Sequence, residues 1–299
     1  MAEGREGNGK RIGGGIKLAA FAVVLAVVFA LATIAGGAID PDAVSGEAAG
    51  SHSEEDEMAT MSEDQHGEQG AAGAPAGLAI SEDGYRLAVD DDTFTAGERR
   101  ELRFRIVGPD GIVTDFEKEY TKQLHLVVVR RDLTGFQHLH PEMDAAGTWS
   151  VPLELPEGGV YRAYADFHTG EHELTLGVDL MSRGGFEPVA LPAPSDTATS
   201  GGYSVDIEGA GDGMFDFTVS RDGEPVTDLQ PYLGARGHLV AIRDGDLAYL
   251  HVHPEDSEPG DPTIGFGAEL PTAGSYRLFL QFRHDGAVHT VAFTEEVGG

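Results

Sequence analysis

The sequence predicts an all-β protein with two tandem immunoglobulin-like β-sandwich domains, which follow a single N-terminal transmembrane helix and a disordered tether. Three observations predict it: short β-type runs between turn residues from residue 78 onward, an internal repeat of that pattern, and one long apolar run near the N-terminus. Beyond residue 78 no stretch sustains a helical period. Six to eight short strands over about 100 residues are typical of a sandwich or barrel.

The apolar run covers residues 18–35 and extends to residue 39 without a charge. About 20 such residues span the hydrocarbon core of a bilayer. Because basic residues precede the run and acidic residues follow it, the positive-inside rule predicts a cytoplasmic tail (1–15), a transmembrane helix or uncleaved signal anchor (16–39) and extracytoplasmic domains. The protein is then single-pass in the cell membrane. The alternative is a cleaved signal peptide with a small-x-small site at Ala30-Leu31-Ala32, which exports the same domains.

Residues 40–77 are rich in Gly, Ala, Ser and Glu and lack an aliphatic run, which predicts a disordered acidic tether. The segment 191–201 is rich in Pro, Ser and Thr and predicts a linker between domains at 78–190 and 202–299. The tether also carries side chains that bind copper weakly, although a solvated spacer is the alternative. These residues are His52, Met58, Met61 and His66.

Composition excludes several classes of function. The formal net charge is −31, and such an acidic surface repels both nucleic acid and anionic lipid headgroups. We therefore expect no nucleic-acid partner, and contact with the membrane through the N-terminal segment alone. The chain has no cysteine, which excludes thiolate zinc sites, iron–sulfur clusters, blue-copper sites and cysteine nucleophiles. A metal ion would therefore be held by imidazole, carboxylate, thioether or backbone groups.

The internal repeat is the most specific feature of the chain. The segment HLVVVRRDLTGFQHLHPE (125–142) aligns without gaps on HLVAIRDGDLAYLHVHPE (238–255). Downstream, residues 153–167 align on 268–282 after a two-residue insertion. The repeat superimposes three histidines of each half at identical spacing: His125, His138 and His140 on His238, His251 and His253.

Turn chemistry predicts how these histidines are arranged. Residues 244–247 (DGDL) suit a hairpin loop that pairs Ile242 with Tyr249 and therefore His238 with His253. Because strand side chains alternate between faces, the three histidines of each copy share one face. By analogy, His125 faces His140, with His138 beside them.

A second hairpin in each copy supplies further candidates. Two-residue turns at Thr169-Gly170 and Asp285-Gly286 would place Phe167 opposite His172 and Phe282 opposite His289. His168 and His284 lie at the turns in both copies. Two glutamates that follow the HxHP motifs, Glu142 and Glu255, would complete or orient a ligand shell.

The pattern predicts a site of three or four imidazoles in each domain, suited to a copper ion or, as the alternative, a zinc ion. The competing hypothesis is an adhesive or scaffolding ectodomain in which the histidines are structural and no metal binds. A second alternative is a copper- or cupin-type oxidoreductase, because residues 245–265 fit the spacing of the first cupin motif. The first repeat breaks that motif, and no catalytic residue is identified.

The chain resembles exported bacterial copper-handling β-sandwich domains of the CopC-like and YtkA-like kind. The features that carry the resemblance are the HLHPE and HVHPE motifs, the Gly-Val-Tyr161 and Gly-Ser-Tyr276 segments, and the spacing of the strands over residues 78–297. The chain is also similar to membrane-anchored actinobacterial secreted proteins associated with heavy-metal transport. The resemblance implies a copper buffer or chaperone with a metal transporter as its partner.

Overall fold

The computed structural model describes residues 75–209, 214–250, 252–255, 260–267 and 272–298. The predicted cytoplasmic tail, the transmembrane helix and residues 40–74 of the tether lie outside these ranges. In the part of the chain that is described, no helix has the length and apolarity needed to cross a bilayer.

The first domain is built from two packed sheets. One sheet has the strand order β1-β2-β4-β9-β8, with β5 paired to β4, and the other has the order β3-β11-β10-β6-β7. The strands are β1 Ser81–Glu82, β2 Tyr85–Val89, β3 Thr93–Thr95, β4 Arg99–Gly108, β5 Gly111–Ile112, β6 His125–Arg130, β7 Gln137–Leu139, β8 Glu142–Met143, β9 Trp149–Glu154, β10 Gly159–Thr169 and β11 His172–Arg183.

The second domain repeats this arrangement. One sheet has the order β12-β13-β14-β19-β18, with β15 paired to β14, and the other has the order β17-β16-β20-β21. The strands are β12 Thr197–Ser200, β13 Tyr203–Glu208, β14 Met214–Arg221, β15 Glu224–Pro225, β16 Gly237–Arg243, β17 Tyr249–Leu250, β18 His253–Pro254, β19 Thr263–Gly267, β20 Gly274–His284 and β21 Ala287–Val297. The prediction of two tandem β-sandwiches is confirmed. β12 occupies the C-terminal part of the predicted linker, because its residues pair with β13.

Each sandwich encloses its own apolar core. In the first domain Trp149, the one tryptophan of the chain, packs edge-on against Phe116 at 5.1 Å between ring centroids. In the second domain Phe217 packs against Phe266 and Phe293. Burial of these side chains between two sheets is the main source of each domain's stability.

The strands β6 and β16 are buried on both faces. In β6, Leu126 and Val128 point into the core of the first domain, while Val127 and Val129 belong to a different apolar cluster. That second cluster also contains Val240 and Ile242 of β16. The two sandwiches therefore pack sheet against sheet, with β6 and β16 at the centre of the contact.

Aromatic pairs show that this domain interface is pseudo-symmetric. Phe136 of the first domain stacks on Phe279 of the second at 4.1 Å, and Tyr249 of the second lies 5.1 Å from Tyr164 of the first. In the repeat alignment Phe136 corresponds to Tyr249, and Tyr164 corresponds to Phe279. Equivalent residues thus exchange partners, as they do across the two-fold axis of a homodimer.

Residues 75–78, which we call the N-terminal strap, lie across both domains. The Tyr249 amide donates to the Ala76 carbonyl, and the Gly77 amide donates to Thr175 O. The buried Arg162 guanidinium donates to the carbonyls of Gly77 and Leu78. Residues 75–77, the end of the predicted disordered tether, are therefore held by hydrogen bonds to both sandwiches.

Candidate metal centre

The hairpin of β6 and β7 positions three histidines of the first domain. Val127 pairs with His138 and Leu126 pairs with Leu139, so the same register sets His125 opposite His140. All three side chains leave the sheet on the face that turns toward the second domain, because Leu139 and Leu126 take the opposite face, toward the core. The predicted geometry of this hairpin is confirmed.

His238 joins these residues from the second domain. It is the second residue of β16 and lies on the same face as Val240 and Ile242. Its ring stacks on the rings of His125 at 5.6 Å and His138 at 4.6 Å. His140 lies 4.7 Å from His138 and 5.2 Å from His125 between ring centroids. We call these four residues (His125, His138, His140 and His238) the histidine cluster.

The cluster differs from the prediction in where it lies. The sequence predicted one site in each domain, whereas His238 meets the histidines of the first domain across the interface. The reason is that the histidine face of each sheet is the face that packs on the other domain. One ligand atom from each of His125, His138 and His238 lies within 4.8 Å of the other two, a spacing that suits a common metal ion.

Hydrogen bonds set the tautomers within the cluster. His125 Nε2 lies 3.1 Å from the carbonyl oxygen of Glu119, which only accepts, so this nitrogen carries the proton. His138 Nδ1 lies 2.7 Å from Gln281 Oε1 and donates to it. In the neutral rings the remaining nitrogens, His125 Nδ1 and His138 Nε2, are then both unprotonated.

These two nitrogens lie 3.0 Å apart, and the tautomers of the two rings decide whether a proton lies between them. Two lone pairs so close repel unless a proton or a metal ion lies near both. Nitrogens about 2.0–2.1 Å from one metal ion are separated by about 2.9–3.4 Å for angles between 90° and the tetrahedral value. The separation in the cluster falls within that range.

Burial and mutual repulsion keep the imidazoles neutral. Burial, with contributions from His238, His140 and His125, holds the pKa of His138 well below its usual range. Burial, together with His125 and Lys122, lowers the pKa of His140 to about 4. His140 Nε2 is buried and has no hydrogen-bond partner among the described residues. Because a neutral imidazole is the form that binds a metal, these rings are ready to act as ligands at neutral pH.

Tyr120 borders the cluster on one side. It lies at a tight turn with a φ of 44°, and its ring meets those of His125 and His238 edge-on at 6.3 and 6.0 Å. Burial and the charges of Glu119, Asp166 and Glu173 raise the pKa of Tyr120 to about 12, so its phenol stays protonated. The same residue lines a cavity of about 560 Å³ whose wall includes Arg236 and Glu255.

The second hairpins hold their histidines away from the cluster. His284 accepts or donates at 2.8 Å to Tyr203 and at 3.0 Å to Asp228, and His289 packs on Tyr203. His168 pairs with Glu119 at 3.0 Å, while His172 lies beside Tyr85. These four histidines are accounted for by local contacts.

The predicted register of these hairpins is right in one copy and wrong in the other. Phe282 faces His289 as predicted. In the first domain Thr169 pairs with His172, so Phe167 faces Leu174 instead. The turn there is Gly170-Glu171 and begins at a glycine with a φ of 60°, one residue later than the predicted turn. Two-residue hairpin turns favour glycine at such a position, and the sequence offered two ways to place it.

The remaining predicted ligands lie elsewhere. Glu142 pairs with Ser150 in the outer sheet, and Glu255 follows β18 in the outer sheet of the second domain, so neither belongs to the group of converging ligand atoms. The backbone of His253 lies in β18, where it pairs with Gly267 of the outer sheet. His251 and the tether residues His52, Met58, Met61 and His66 lie outside the described residues.

Gln281 and Tyr120 are the neighbours that sequence reasoning missed. Gln281 pairs with His238 across the strands, and it reaches His138 only because the domains dock. One available signal was the unbroken apolar run of β6 (LVVV), which is typical of a strand buried on both faces and not of a solvent-facing sheet.

Comparison with known proteins gives one family match. A family model described as a domain of unknown function, DUF8832, matches residues 80–183 and again residues 198–299, which agrees with the two sandwiches. Among curated proteins no sequence matches the chain.

Several solved structures share features of the β architecture at low similarity. The Escherichia coli adhesin FdeC is 14% identical over 74% of this chain and 66% of its own, with a TM-score of 0.25. InvD of Yersinia pseudotuberculosis is 13% identical over 73% and 58%, with a TM-score of 0.24. Invasin, an integrin-binding protein, is 16% identical over 72% and 38%, with a TM-score of 0.23. The chain thus spans less than two thirds of the length of each of these proteins.

Proposed function

We propose a function for this chain, which belongs to the DUF8832 family of domains of unknown function, from the geometry of its histidine cluster. The cluster binds one transition-metal ion between the two sandwiches. Copper is the first candidate and zinc the second, because imidazole suits both ions and divalent copper generally binds such ligands more tightly.

A single observation carries this proposal. His125 Nδ1 and His138 Nε2 lie 3.0 Å apart in a buried place that a third imidazole, His238, also reaches. One ligand atom from each of these three residues lies within 4.8 Å of the other two. Three neutral imidazoles that converge in this way are a donor set that transition-metal ions such as copper and zinc accept.

The proposed role follows from the rest of the chain. In an exported, membrane-tethered protein with a net charge of −31, the acidic surface raises the local concentration of cations. Such a protein would act as a buffer or chaperone that passes the ion to a metal transporter. The site uses no catalytic residue in this proposal.

The test is metal analysis of the full-length chain purified in a mild detergent. After dialysis against Cu(II) or Zn(II), we expect about one tightly held equivalent per chain. His238→Ala and His138→Ala each remove one ligand and should abolish the tight equivalent. His172→Ala is the matched control, because this histidine lies at the turn of the β10–β11 hairpin, beside Asp83, with its side chain 43% exposed.

Circular dichroism of each metal-free variant establishes that it is folded. A folded wild-type protein that holds no metal equivalent, or His138→Ala and His172→Ala variants with equal metal content, would rule out the proposed site.

The alternative function is a non-catalytic adhesive or scaffolding ectodomain whose histidines are structural. The observation in its favour is that cluster residues already form hydrogen bonds, including one between the domains from His138 to Gln281. In that case the cluster shares a proton between His125 and His138, and the thermal midpoint of the protein is unchanged by added Cu(II) or Zn(II).

A further inference from the structure

Gln281 contacts the histidine cluster from outside it. It lies in the middle of β20, its residue is 6% exposed, and its Oε1 accepts the 2.7 Å hydrogen bond from His138 Nδ1. No other side chain of the second domain is seen to donate to or accept from His138 within the described residues. The His138 nitrogen that donates to Gln281 is Nδ1, whereas Nε2 is the nitrogen that faces His125.

The amide of Gln281 is itself held in place. Its Nε2 donates to Thr290 Oγ1 at 3.2 Å, and Gln281 pairs with Thr290 across β20 and β21. In this orientation the amide nitrogen faces Thr290 Oγ1 and the amide oxygen faces His138 Nδ1. Thr290, Gln281 and His138 therefore form a chain of hydrogen bonds that ends at the unprotonated Nε2.

The opposite orientation of the amide would have a different result. If the amide nitrogen donated to His138 Nδ1, the proton of His138 would move to Nε2 and fill the space toward His125. That arrangement satisfies both rings by a hydrogen bond and leaves His138 without a lone pair for a ligand.

We infer that Gln281 is the positioning residue of the proposed metal site: it selects the His138 tautomer that presents Nε2 to the ion. The inference rests on the proposed function for its effect on metal affinity, but not for the tautomer itself. Since Gln281 belongs to the second domain and His138 to the first, the ligand is prepared by docking of the domains. Outer partners of this kind typically change metal affinity by about 10- to 100-fold.

The first experiment reads the tautomer in the metal-free protein. In the full-length chain labelled with ¹⁵N-histidine, a long-range ¹H–¹⁵N spectrum should show His138 protonated at Nδ1. The Gln281→Leu variant removes the acceptor and should shift this signal toward the Nε2-protonated form. A wild-type spectrum with the proton on Nε2 overturns the inference, whatever the protein does with metals.

The second experiment measures affinity for Cu(II) and Zn(II) by competition with a chelator of known affinity. Gln281→Leu should bind about 10- to 100-fold more weakly, and Gln281→Glu should restore tight binding because a carboxylate also accepts from Nδ1–H. Thr290→Val frees the amide and should have a smaller effect in the same direction.

The matched control is Gln230→Leu, which removes another glutamine acceptor of the second domain, one that receives the Gly286 amide. It should leave affinity unchanged. Equal affinities of wild type and Gln281→Leu, with normal metal content, would overturn the inference while the proposed function stands. Absence of metal from the wild type would overturn the proposed function alone, since the tautomer is measured without metal.

Discussion

His125 of the first domain and His238 of the second occupy equivalent positions, and their rings stack on each other with planes only 11° apart. The cross-strand neighbours of these two residues are equivalent as well, but they differ in chemistry. Gln281, beside His238, accepts a hydrogen bond from His138. Asp166, beside His125, accepts from Thr175 and interacts with Tyr249 of the second domain.

The difference shows how a duplication can yield one asymmetric site. Two copies that pack by the same face bring equivalent side chains to a common axis. Each side chain near that axis then contacts residues of the other copy. A substitution in one copy, such as Asp for Gln, then changes the partner of the other copy. In this protein the second domain supplies the neutral acceptor, and the first domain supplies three of the four histidines of the cluster.

The largest effect is expected from removing an aromatic ring at the interface. Phe279 is 4% exposed and stacks on Phe136, so Phe279→Ala should lower the free energy of unfolding by about 3 kcal/mol. Its equivalent, Tyr164, donates from its hydroxyl to Leu247 O at 2.8 Å. Tyr164→Phe makes the two positions chemically alike and should cost only about 1 kcal/mol.

Urea unfolding measures both variants, with Trp149 fluorescence reporting on the first domain and circular dichroism on the whole chain. In Phe279→Ala the two signals should separate, because the second domain loses its contact with the first. Coincident transitions with equal costs for both variants would show that the Phe279 ring is not needed to couple the two domains.

An intermediate effect should come from Gly177 of β11, which the N-terminal strap covers, whereas the strap does not cover the equivalent position of the second domain. A Cβ on Gly177 would lie 1.9 Å from the Gly77 carbonyl oxygen, whereas the equivalent position in the second domain is already Ala292. Gly177→Ala should therefore destabilise the chain by about 2 kcal/mol through overpacking.

The reciprocal change, Ala292→Gly, creates no clash and should cost about 0.5–1 kcal/mol through backbone entropy. Thermal unfolding monitored by circular dichroism compares the two. A Gly177→Ala variant as stable as wild type would mean that the strap does not lie against β11 in solution.

The smallest effect concerns pH and the histidines of the first domain. The pKa of His140 is about 4 in the folded chain and about 6.5 when unfolded, so the unfolded chain binds an extra proton between these values. The free energy of unfolding is therefore at its full value above pH 6.5, and it decreases as the pH falls toward 4 because protons bind to the unfolded chain first. Since the side chain is partly exposed, we expect a loss of about 1–2 kcal/mol, rather than the roughly 3 kcal/mol of the full shift.

This loss is measured by urea unfolding of the metal-free protein at a series of pH values. His140→Ala should reduce the dependence between pH 6.5 and 4, leaving the part that comes from the lowered pKa of His138, and His172→Ala should keep all of it. A wild-type profile that is flat over this window would contradict the neutral, buried state of the cluster.

Much of the fold was predictable because it is specified locally. Strands such as Tyr85–Val89 and His125–Arg130 fall within the short β-type runs between turn residues that the sequence shows from residue 78 onward. The register of β16 and β17, which pairs Ile242 with Tyr249, is the predicted one. The loop between these strands has two residues with positive φ, Gly245 at 93° and Leu247 at 65°, and only the glycine was predictable from turn chemistry.

The candidate site was only partly predictable, because docking of the domains decides it. Sequence reasoning placed His125, His138 and His140 on one face but could not show what that face meets. The contact of His138 with Gln281 joins residues 143 positions apart and depends on two curved sheets packing at a particular angle. No local pattern encodes such a contact, although the apolar outer face of β6 indicated that some surface covers it.

The N-terminal strap also determines where a mechanical load enters the protein. Because Ala76 O is bonded to Tyr249 and Gly77 to Thr175 and Arg162, a pull on the chain from its N-terminal side is shared between both sandwiches at once. The force acts first on carbonyl groups held by a buried guanidinium and not on the free end of a single edge strand. A force along the backbone would therefore have to break the hydrogen bonds of the N-terminal strap before it could separate the strands of either sheet.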